Sequence, residues 1–357
     1  MNLSTSFNGL FLENPLMPAS GPLVGDFEKL KFMQDSGCGA VVTKTISTKL
    51  PHIPKPCIYG DKEYVMNSEL WSELPLDLWV SEILPAFVKI KNRPLIVSVG
   101  YSESDMEELI TLLDRFADAF EVSTHYVGTN LSTIEGIVRT IRKHTVKPVY
   151  MKISPHIPSP ELFAKAIKNA GANGIVAVNS LGPTMKIDIE KRKIIYGNDS
   201  GFVWTSGPVI KNLALATVYK IKQAEPSLTV IGTGGIKSAD DVIEFLLAGA
   251  SGVQMLSGAL LKGKQLYKKI IDDLPGALVK YGFNSVEEII ATTLDKSVDY
   301  TGVVPTLIKD KCIECMLCKD VCPYFAITFP NIITIDPDKC FRCGLCVSKC
   351  PVKALTF

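Results

Sequence analysis

Eight short apolar runs alternate with amphipathic stretches between residue 10 and about residue 295. The amphipathic stretches, such as SDMEELITLLDRFA, SPELFAKAIKNAG and SADDVIEFLLAGA, carry apolar residues at i, i+3, i+4 and i+7 and begin with serine, a common N-cap residue. They therefore predict helices. The apolar runs predict buried strands and read PLMPAS (15–20), AVVTKT (40–45), PLIVSVG (94–100), AFEVST (119–124), PVYMKIS (148–154), GIVAVNS (174–180), LTVIGTGG (228–235) and GVQML (252–256).

Strands that alternate with helices predict an α/β protein whose parallel sheet is covered on both faces. The number of strands favours closure into a (β/α)8 TIM barrel, and an open doubly wound sheet is the alternative. Two stretches interrupt the alternation: a proline-rich insertion over residues 50–75, and residues 183–205, which predict a β-hairpin with GNDSG as its turn. Both follow strands, so we expect them at the C-terminal face, where barrel enzymes hold their active sites.

The charges nearly cancel: 38 lysines and arginines face 37 aspartates and glutamates, a formal charge of +1 over 357 residues. This balance gives no reason to expect nucleic acid or an anionic membrane surface as a partner. No apolar run approaches the roughly 18–20 residues needed to span a bilayer. The N-terminus lacks the basic and apolar regions of a signal peptide. We therefore expect a cytoplasmic protein.

Two glycine-containing turns predict a site for a phosphate group. VIGTGGIKSADD is a strand that ends in a turn with Gly234 and Gly235 before a helix, and TSGPVIKNLAL repeats the arrangement with Ser206 and Gly207. Backbone N–H groups in such turns approach an anion closely, and the helix N-terminus adds positive dipole. The spacing matches neither GxGxxG nor a Walker loop, so a phosphorylated cofactor is favoured over a Rossmann-type NAD site.

Eight of the ten cysteines lie between Cys312 and Cys350 and predict two [4Fe–4S] clusters. CIECMLCKDVCP is C-x2-C-x2-C-x3-C-P, CFRCGLCVSKCP repeats it, and in two-cluster ferredoxins the fourth cysteine of each run ligates the other cluster. Zinc ribbons lack this doubled run, and a cytoplasmic chain argues against disulfides. One cluster would take Cys312, Cys315, Cys318 and Cys350, and the other Cys340, Cys343, Cys346 and Cys322.

The clustered cysteines also predict a domain boundary, with the barrel over residues 1–300 and a 2[4Fe–4S] ferredoxin-like α+β domain over residues 301–357. Iron–sulfur clusters move one electron at a time, and a flavin converts such transfers into hydride chemistry. The predicted phosphate site fits FMN. Of the two remaining cysteines, Cys38 reads as a packing thiol, and Cys57, in the proline-rich insertion, stays open as a mobile-loop thiol.

Taken in order, several motifs make the chain resemble the dihydroorotate dehydrogenase-like superfamily, and within it the FMN- and ferredoxin-type part of dihydropyrimidine dehydrogenase. The resemblance covers nearly the whole chain. The motifs are NPLMPASGP (14–22), VVTKTIS (41–47), NSELWSE (67–73), MKISP (151–155), AVNS (177–180), TSG (205–207), GTGG (232–235) and the cysteine tail.

The resemblance implies a role for each matching residue. Lys152 would lie by the pyrimidine end of the flavin, where a cation stabilises negative charge, and Asn179 would contact flavin or substrate. Asn67 and Ser180 would line the substrate pocket. The other implied flavin contacts are Ala19, Ser20 and Gly21 under the ring, Lys44 and Thr45 at its edge, and Ser206, Gly207, Gly234, Gly235 and Ser257 at the phosphate.

The loop after the fourth strand departs from the family pattern. Members usually carry N-L-S-C-P-N, whose cysteine or serine exchanges the proton. Here Tyr126 falls on the cysteine position, beside His125, while Ser123 and Gly128 replace the two asparagines. Tyrosine, or histidine with a pKa of about 6.5, can donate a proton. We expect Tyr126 or His125, with Lys44 nearby, to be catalytic and Ser123 to contact substrate; the alternative is that both rings only pack the loop.

These patterns favour an oxidoreductase of CH–CH bonds that reduces, or forms, a C=C bond conjugated to a carbonyl group. A dihydroorotate or dihydropyrimidine dehydrogenase with a substituted acid–base residue is one alternative, and an electron-transfer subunit is another. The substrate is expected to be an unsaturated carbonyl or pyrimidine-like small molecule. A ferredoxin or a separate reductase subunit would exchange electrons, because the chain shows no NAD(P)-binding unit. By analogy with its relatives the chain would form a homodimer.

Overall fold

A computed structural model describes residues 1–295 and 302–357 of the chain. It divides into two compact units, Met1–Leu294 and Asp295–Phe357. The domain boundary predicted between residues 300 and 301 lies outside the described residues.

The strands of the first unit are short, and those of the barrel are buried. They are β1 (Thr5–Phe7), β2 (Leu10–Leu12), β3 (Leu16–Pro18), β4 (Val41–Val42), β5 (Ile58–Gly60), β6 (Val65–Asn67), β7 (Leu95–Val99), β8 (Ala119–Ser123), β9 (Val149–Ile153), β10 (Gly174–Ala177), β11 (Leu181–Thr184), β12 (Ile187–Asp188), β13 (Lys193–Ile194), β14 (Val203–Ser206), β15 (Thr229–Thr233) and β16 (Gly252–Met255).

Eight parallel strands form a nearly closed barrel in the order β3-β16-β15-β10-β9-β8-β7-β4. These are the eight strands predicted from the apolar runs, so the TIM barrel is confirmed and the open sheet is wrong. The gap between β3 and β4 is bridged by the Gly39 N–H, which donates to the Leu16 carbonyl at 2.8 Å. A Cβ atom at position 39 would lie 1.9 Å from the Asn14 carbonyl oxygen, so only glycine fits where the barrel closes.

Helices cover the barrel, and serine side chains cap several of them. Ser159 and Ser238 accept backbone N–H groups as predicted, but the helix of the SDMEEL stretch is capped by Ser102, one half-turn earlier than its first serine. In the described residues no helix combines the length and apolarity needed to cross a membrane. The helices are α1 (Phe27–Asp35), α2 (Leu76–Leu78), α3 (Leu84–Ile90), α4 (Glu103–Leu113), α5 (Ser132–His144), α6 (Pro160–Ala170), α7 (Lys211–Ala224), α8 (Ala239–Leu247), α9 (Ser257–Lys262), α10 (Leu266–Tyr281) and α11 (Val286–Ala291).

The two insertions join in one antiparallel sheet of order β11-β14-β6-β5. In it β14 pairs with β6, so that Trp204 lies opposite Asn67. The predicted hairpin is present, but its turn was misplaced: β12 and β13 are joined by residues 189–192. GNDSG forms a separate turn because the Asn198 side chain accepts the N–H groups of Ser200 and Phe202.

The second unit has the small α+β fold predicted for a ferredoxin-like domain. Two antiparallel pairs form it, β17 (Thr306–Leu307) with β20 (Leu355–Thr356) and β18 (Ile327–Thr328) with β19 (Thr334–Ile335). Two short helices, α12 (Leu317–Asp320) and α13 (Leu345–Lys349), lie within the two cysteine runs, each ahead of the run's last cysteine. The fold class predicted for this part of the chain is confirmed.

Candidate active site

A cavity of about 990 Å3 opens at the C-terminal ends of the barrel strands. The cavity wall brings together most of the residues predicted for flavin and substrate. These are Ala19, Ser20, Gly21, Thr45, Asn67, Ser123, His125, Lys152, Asn179, Ser180, Ser206, Gly207, Gly234, Gly235 and Ser257.

One side of the cavity is a cradle suited to an anion. Gly207, Gly234 and Gly235 have φ angles of 97°, 125° and 83°, which favour glycine because L side chains rarely adopt them. In the part of the chain that the structure describes, the N–H groups of Gly234 and Gly235 donate to no protein acceptor. The hydroxyls of Ser206 and Ser257 lie 2.7 Å apart beside these turns. The donor set therefore fits the phosphate of FMN.

A chain of hydroxyl groups lies on the β3 and β4 side of the barrel. Ser20 Oγ is 3.0 Å from Thr45 Oγ1, which is 3.0 Å from Ser98 Oγ. Ser20 and Thr45 line the cavity, whereas Ser98 is fully buried behind them. Because each hydroxyl both donates and accepts, the chain fixes the orientation of the groups that would face the flavin.

Glu121 and Gln254 belong to the site but were not predicted from the sequence. Glu121 lies in β8 and is fully buried, and its Oε1 accepts from Lys152 Nζ at 3.0 Å. Its Oε2 accepts from Gln254 Nε2, in β16, at 2.6 Å. Both residues interrupt apolar strand runs, AFEVST and GVQML, and a polar residue inside such a run was the available signal.

An aromatic wall was also missed. The Tyr101 ring stacks on His125 with centroids 5.1 Å apart and planes 15° apart, and it contacts Trp71 at 4.7 Å. Tyr101 lines the cavity with His125, and burial raises the pKa of its phenol, which keeps the proton at neutral pH. The stacked rings of Tyr101 and His125 offer the cavity a flat surface with a polar group on each ring.

His125 is accessible from the open cavity yet surrounded by its walls. This partial desolvation, with repulsion from Lys152 as the second cause, lowers the pKa of His125 from 6.5 to about 4. At neutral pH the imidazole is therefore uncharged, so it can donate an N–H hydrogen bond but does not act as an imidazolium acid. The expectation of a donor with the ordinary histidine pKa needs this correction.

The lowered pKa predicts how stability depends on pH. Between about pH 4 and pH 6.5 the unfolded chain binds a proton at this histidine and the folded chain does not, so the contribution of His125 to stability falls as the pH drops through that window. A thermal melt series should show a weaker pH dependence for His125→Gln than for the unchanged protein. NMR titration of the imidazole should give a midpoint near 4; a midpoint near 6.5 would contradict the geometry.

Two predicted catalytic residues do not reach the cavity. The Tyr126 hydroxyl donates to the Asn130 carbonyl oxygen, and neither Tyr126 nor Lys44 is part of the cavity wall in the described residues. Lys44 is buried, and its ammonium lies 3.2 Å from Glu69 and 3.5 Å from a second carboxylate. The assignments of Tyr126 as proton donor and of Lys44 as a catalytic group therefore gain no support from the geometry.

Of the two cysteines outside the tail, Cys38 is fully buried in the barrel core, where burial raises its pKa to about 12. It packs as an inert thiol, as the sequence predicted. Cys57 is half-buried beside β5, and burial followed by the carboxylates of Glu69 and Glu73 raises its pKa. A thiol with a raised pKa is a poor nucleophile, and Cys57 does not line the cavity.

In the second unit, each predicted set of four cysteines surrounds its own cavity. Among the described residues no group of three or more His, Cys, Asp or Glu side chains is arranged to hold a single metal ion. A [4Fe–4S] cube holds its four thiolates apart at separate corners. The first cavity is lined by Cys312, Cys315, Cys318 and Cys350, and the second by Cys322, Cys340, Cys343 and Cys346.

Two families match the chain, one for each unit. Residues 2–278 match the dihydroorotate dehydrogenase family, and residues 311–354 match the 4Fe-4S dicluster domain family. The first match covers more than half of the chain, and the second shows that the tail is an iron–sulfur domain. The resemblance to the superfamily is confirmed, whereas its closer likeness to dihydropyrimidine dehydrogenase stays a prediction.

Similar proteins include dihydroorotate dehydrogenases named for two different electron acceptors. The catalytic subunit of dihydroorotate dehydrogenase B (NAD(+)) from Oceanobacillus iheyensis is 31% identical over 303 residues, covering 81% of this chain and 98% of that protein. Its counterpart from Thermococcus kodakarensis is 33% identical over 304 residues, covering 82% and 98%. Dihydroorotate dehydrogenase A (fumarate) from Lactobacillus helveticus is 31% identical over 311 residues, covering 81% and 98%.

Proposed function

The chain belongs to the dihydroorotate dehydrogenase family, and on that premise we propose that it is an FMN- and iron–sulfur-dependent oxidoreductase that acts on a CH–CH bond beside a carbonyl group. One observation carries the proposal: a single cavity on the barrel rim joins an anion cradle to polar groups suited to a carbonyl compound. The phosphate would lie between the turns of Gly207 and Gly235. Two [4Fe–4S] clusters would occupy the two cysteine-lined cavities of the tail.

When bound, FMN supplies hydride transfer and exchanges single electrons with iron–sulfur clusters. The protein has to hold the substrate and move one proton. Asn67, Asn179 and Ser180 present amide and hydroxyl groups that can bind carbonyl oxygens and ring N–H groups. Reduction of the C=C bond also needs a proton at the carbon next to the one that receives hydride. His125 and Tyr101 are the candidates on the aromatic wall: the uncharged imidazole of His125 can accept this proton when the C=C bond forms, and Tyr101, which keeps its phenol proton, can donate it when the bond is reduced.

His125 and Tyr126, in the loop that differs from the family pattern, are expected to affect the reaction to very different degrees. We expect His125→Phe to slow the proton-coupled half-reaction by about 100-fold or more, because a positioned acid or base contributes roughly 10²–10⁴-fold. Tyr126→Phe should change the same rate by no more than about twofold, since its hydroxyl is bonded to the Asn130 carbonyl outside the cavity. Stopped-flow reduction and reoxidation of the flavin measure both rates. A strong defect in Tyr126→Phe alone would restore Tyr126 as the donor.

The electron partner is proposed to be a ferredoxin or a separate reductase subunit. Two of the relatives are named as catalytic subunits of an NAD(+) enzyme and a third as a fumarate enzyme, so similar barrels serve different acceptors. The iron–sulfur tail lies beyond the stretch that matches the dehydrogenase family and gives this chain its own route for single electrons. A homodimer is proposed by analogy only.

The test is an anaerobic titration of the reduced protein with a panel of α,β-unsaturated carbonyl compounds and pyrimidines. The proposal expects at least one compound to reoxidise the flavin with one equivalent per two electrons. If none of these compounds reoxidises the flavin while an artificial electron acceptor reoxidises it, the chain would instead be an electron-transfer subunit.

Dihydroorotate or dihydropyrimidine oxidation is the second candidate. The names of the relatives favour it, and Asn67, Asn179 and Ser180 lie in the cavity as the family pattern expects. The loop after the fourth strand argues against this candidate, because the family pattern has two asparagines there. Ser123, which lines the cavity, replaces the first, and Gly128 replaces the second. This candidate expects dihydroorotate or dihydrouracil to reduce the flavin, or orotate or uracil to reoxidise it.

A further inference from the structure

Three polar side chains meet in the barrel at the floor of the cavity. Glu121 is fully buried, Lys152 is 8% exposed and Gln254 is fully buried. One carboxylate holds the other two residues, since Glu121 Oε1 is 3.0 Å from Lys152 Nζ and Oε2 is 2.6 Å from the amide of Gln254. Lys152 and Gln254 line the cavity, whereas Glu121 does not.

Glu121 decides which way the Gln254 amide faces. A carboxylate oxygen accepts hydrogen bonds, and Glu121 Oε2 accepts from Gln254 Nε2, so the amide nitrogen faces Glu121. The amide oxygen then faces away from Glu121. In the described residues Gln254 Oε1 is buried and has no hydrogen-bond partner.

A buried acceptor without a donor is uncommon, because burial removes its bonds to water and the protein supplies none. Gln254 therefore indicates a donor that belongs to an occupant of the cavity. FMN carries such donors at N3–H of its ring and at its ribityl hydroxyls. Lys152 presents the opposite type, a charged donor, to the same occupant.

We propose that Glu121 is a positioning residue that holds the Lys152 ammonium as a donor and Gln254 Oε1 as an acceptor against FMN. The inference rests on the proposed function. Glu121 has a second consequence: its negative charge offsets the charge of Lys152, which limits how strongly the site attracts the negative charge that electrons bring to the cofactor. Glu121 would thus keep the midpoint potential of the bound flavin low.

The first test measures the midpoint potential of the flavin in the holoprotein by spectroelectrochemical titration. Glu121→Gln keeps the shape and can still bond one of its two partners, but it leaves the Lys152 charge without an offset. Its potential should be more positive by the equivalent of at least tenfold in the equilibrium constant, about 30 mV for a two-electron couple. Lys152→Met should move it in the opposite direction. A merely structural Glu121 would not shift the potential in a direction set by charge.

The second test measures FMN affinity by fluorescence quenching in the apoprotein, with the iron–sulfur clusters retained. Gln254→Met fills the same space without an acceptor and leaves the ion pair intact, and it should weaken FMN binding about tenfold or more. The matched control is Gln34→Met, which removes another buried amide, in α1 and outside the cavity; that amide donates to the Ile90 carbonyl and accepts from the Asn92 N–H. Its FMN affinity should not change.

Flavin analogues identify the donor. If N3–H is the donor, the unchanged protein binds 3-methyl-FMN more weakly than FMN, and Gln254→Met binds the two with similar affinity. If a ribityl hydroxyl is the donor, the same pattern is expected for an analogue that lacks this hydroxyl. The inference is overturned if Glu121→Gln binds FMN with an unchanged potential, or if Gln254→Met binds FMN and both analogues as the unchanged protein does. A protein that binds no FMN at all would instead refute the proposed function.

Discussion

Cys322→Ala/Cys346→Ala is expected to remove one iron–sulfur cluster and leave the other, with a loss of about four iron atoms per chain. Both cysteines line one cavity although they belong to different runs of the sequence. Losing two of four thiolates leaves too few ligands for a cube, whereas the second cavity keeps all of its own. Iron analysis and the electron paramagnetic resonance spectrum of the reduced protein measure the result.

Cys318→Ala/Cys322→Ala is the matched comparison, because it removes one ligand from each cavity and is expected to damage both clusters. Cys57→Ala, which changes a thiol of the first unit, should leave the iron content unchanged. If Cys322 instead served the cluster of its own run, the double variants would exchange their effects, and the crossed ligand sets would be wrong.

Gly235→Ala is expected to weaken FMN binding by about 100-fold or more. The residue has a φ of 83°, and a Cβ atom would lie 2.7 Å from Lys211 Cβ and 3.0 Å from the Gly207 carbonyl oxygen. One of these contacts is backbone of the facing turn, so the two turns of the cradle have to separate. The N–H groups of both turns would then no longer converge on one phosphate. FMN content of the purified protein measures the effect.

Gly263→Ala is the control for backbone strain. Gly263 has a φ of 92°, but a Cβ atom there would meet nothing within 4 Å. With a ψ of 150° its backbone lies in a region used almost only by glycine, so the alanine variant should lose about 1–3 kcal/mol of stability from the backbone alone and retain its FMN. Equal FMN loss in both variants would show that strain, not the cradle, explains the result.

The barrel could be predicted because each of its strands is a continuous apolar run between helical stretches. Strands such as β7 (LIVSV) and β9 (VYMKI) are buried along their whole length, so the pattern does not depend on distant contacts. The cysteine runs were equally informative, since ligand spacing is local and the crossed pairing follows from the doubled motif. The cavities agree with that pairing, since Cys350 of the second run lines the first cavity and Cys322 of the first run lines the second.

The parts that escaped prediction depend on contacts distant in sequence or on single backbone angles. The sheet that joins the insertions needs Trp204 to pair with Asn67, which no local pattern indicates. His125 has a φ of 50°, so the chain leaves the strand alternation there. As a result His125 faces the cavity and Tyr126, at the family's cysteine position, turns to Asn130.

The most direct measurement of the central claim is the cofactor content of protein purified under argon. Acid denaturation should release about one yellow mononucleotide per chain, identified as FMN by chromatography, and iron analysis should give about eight iron atoms. Protein that releases no flavin after incubation with FMN, or that holds no iron after reconstitution with iron and sulfide, would contradict the account.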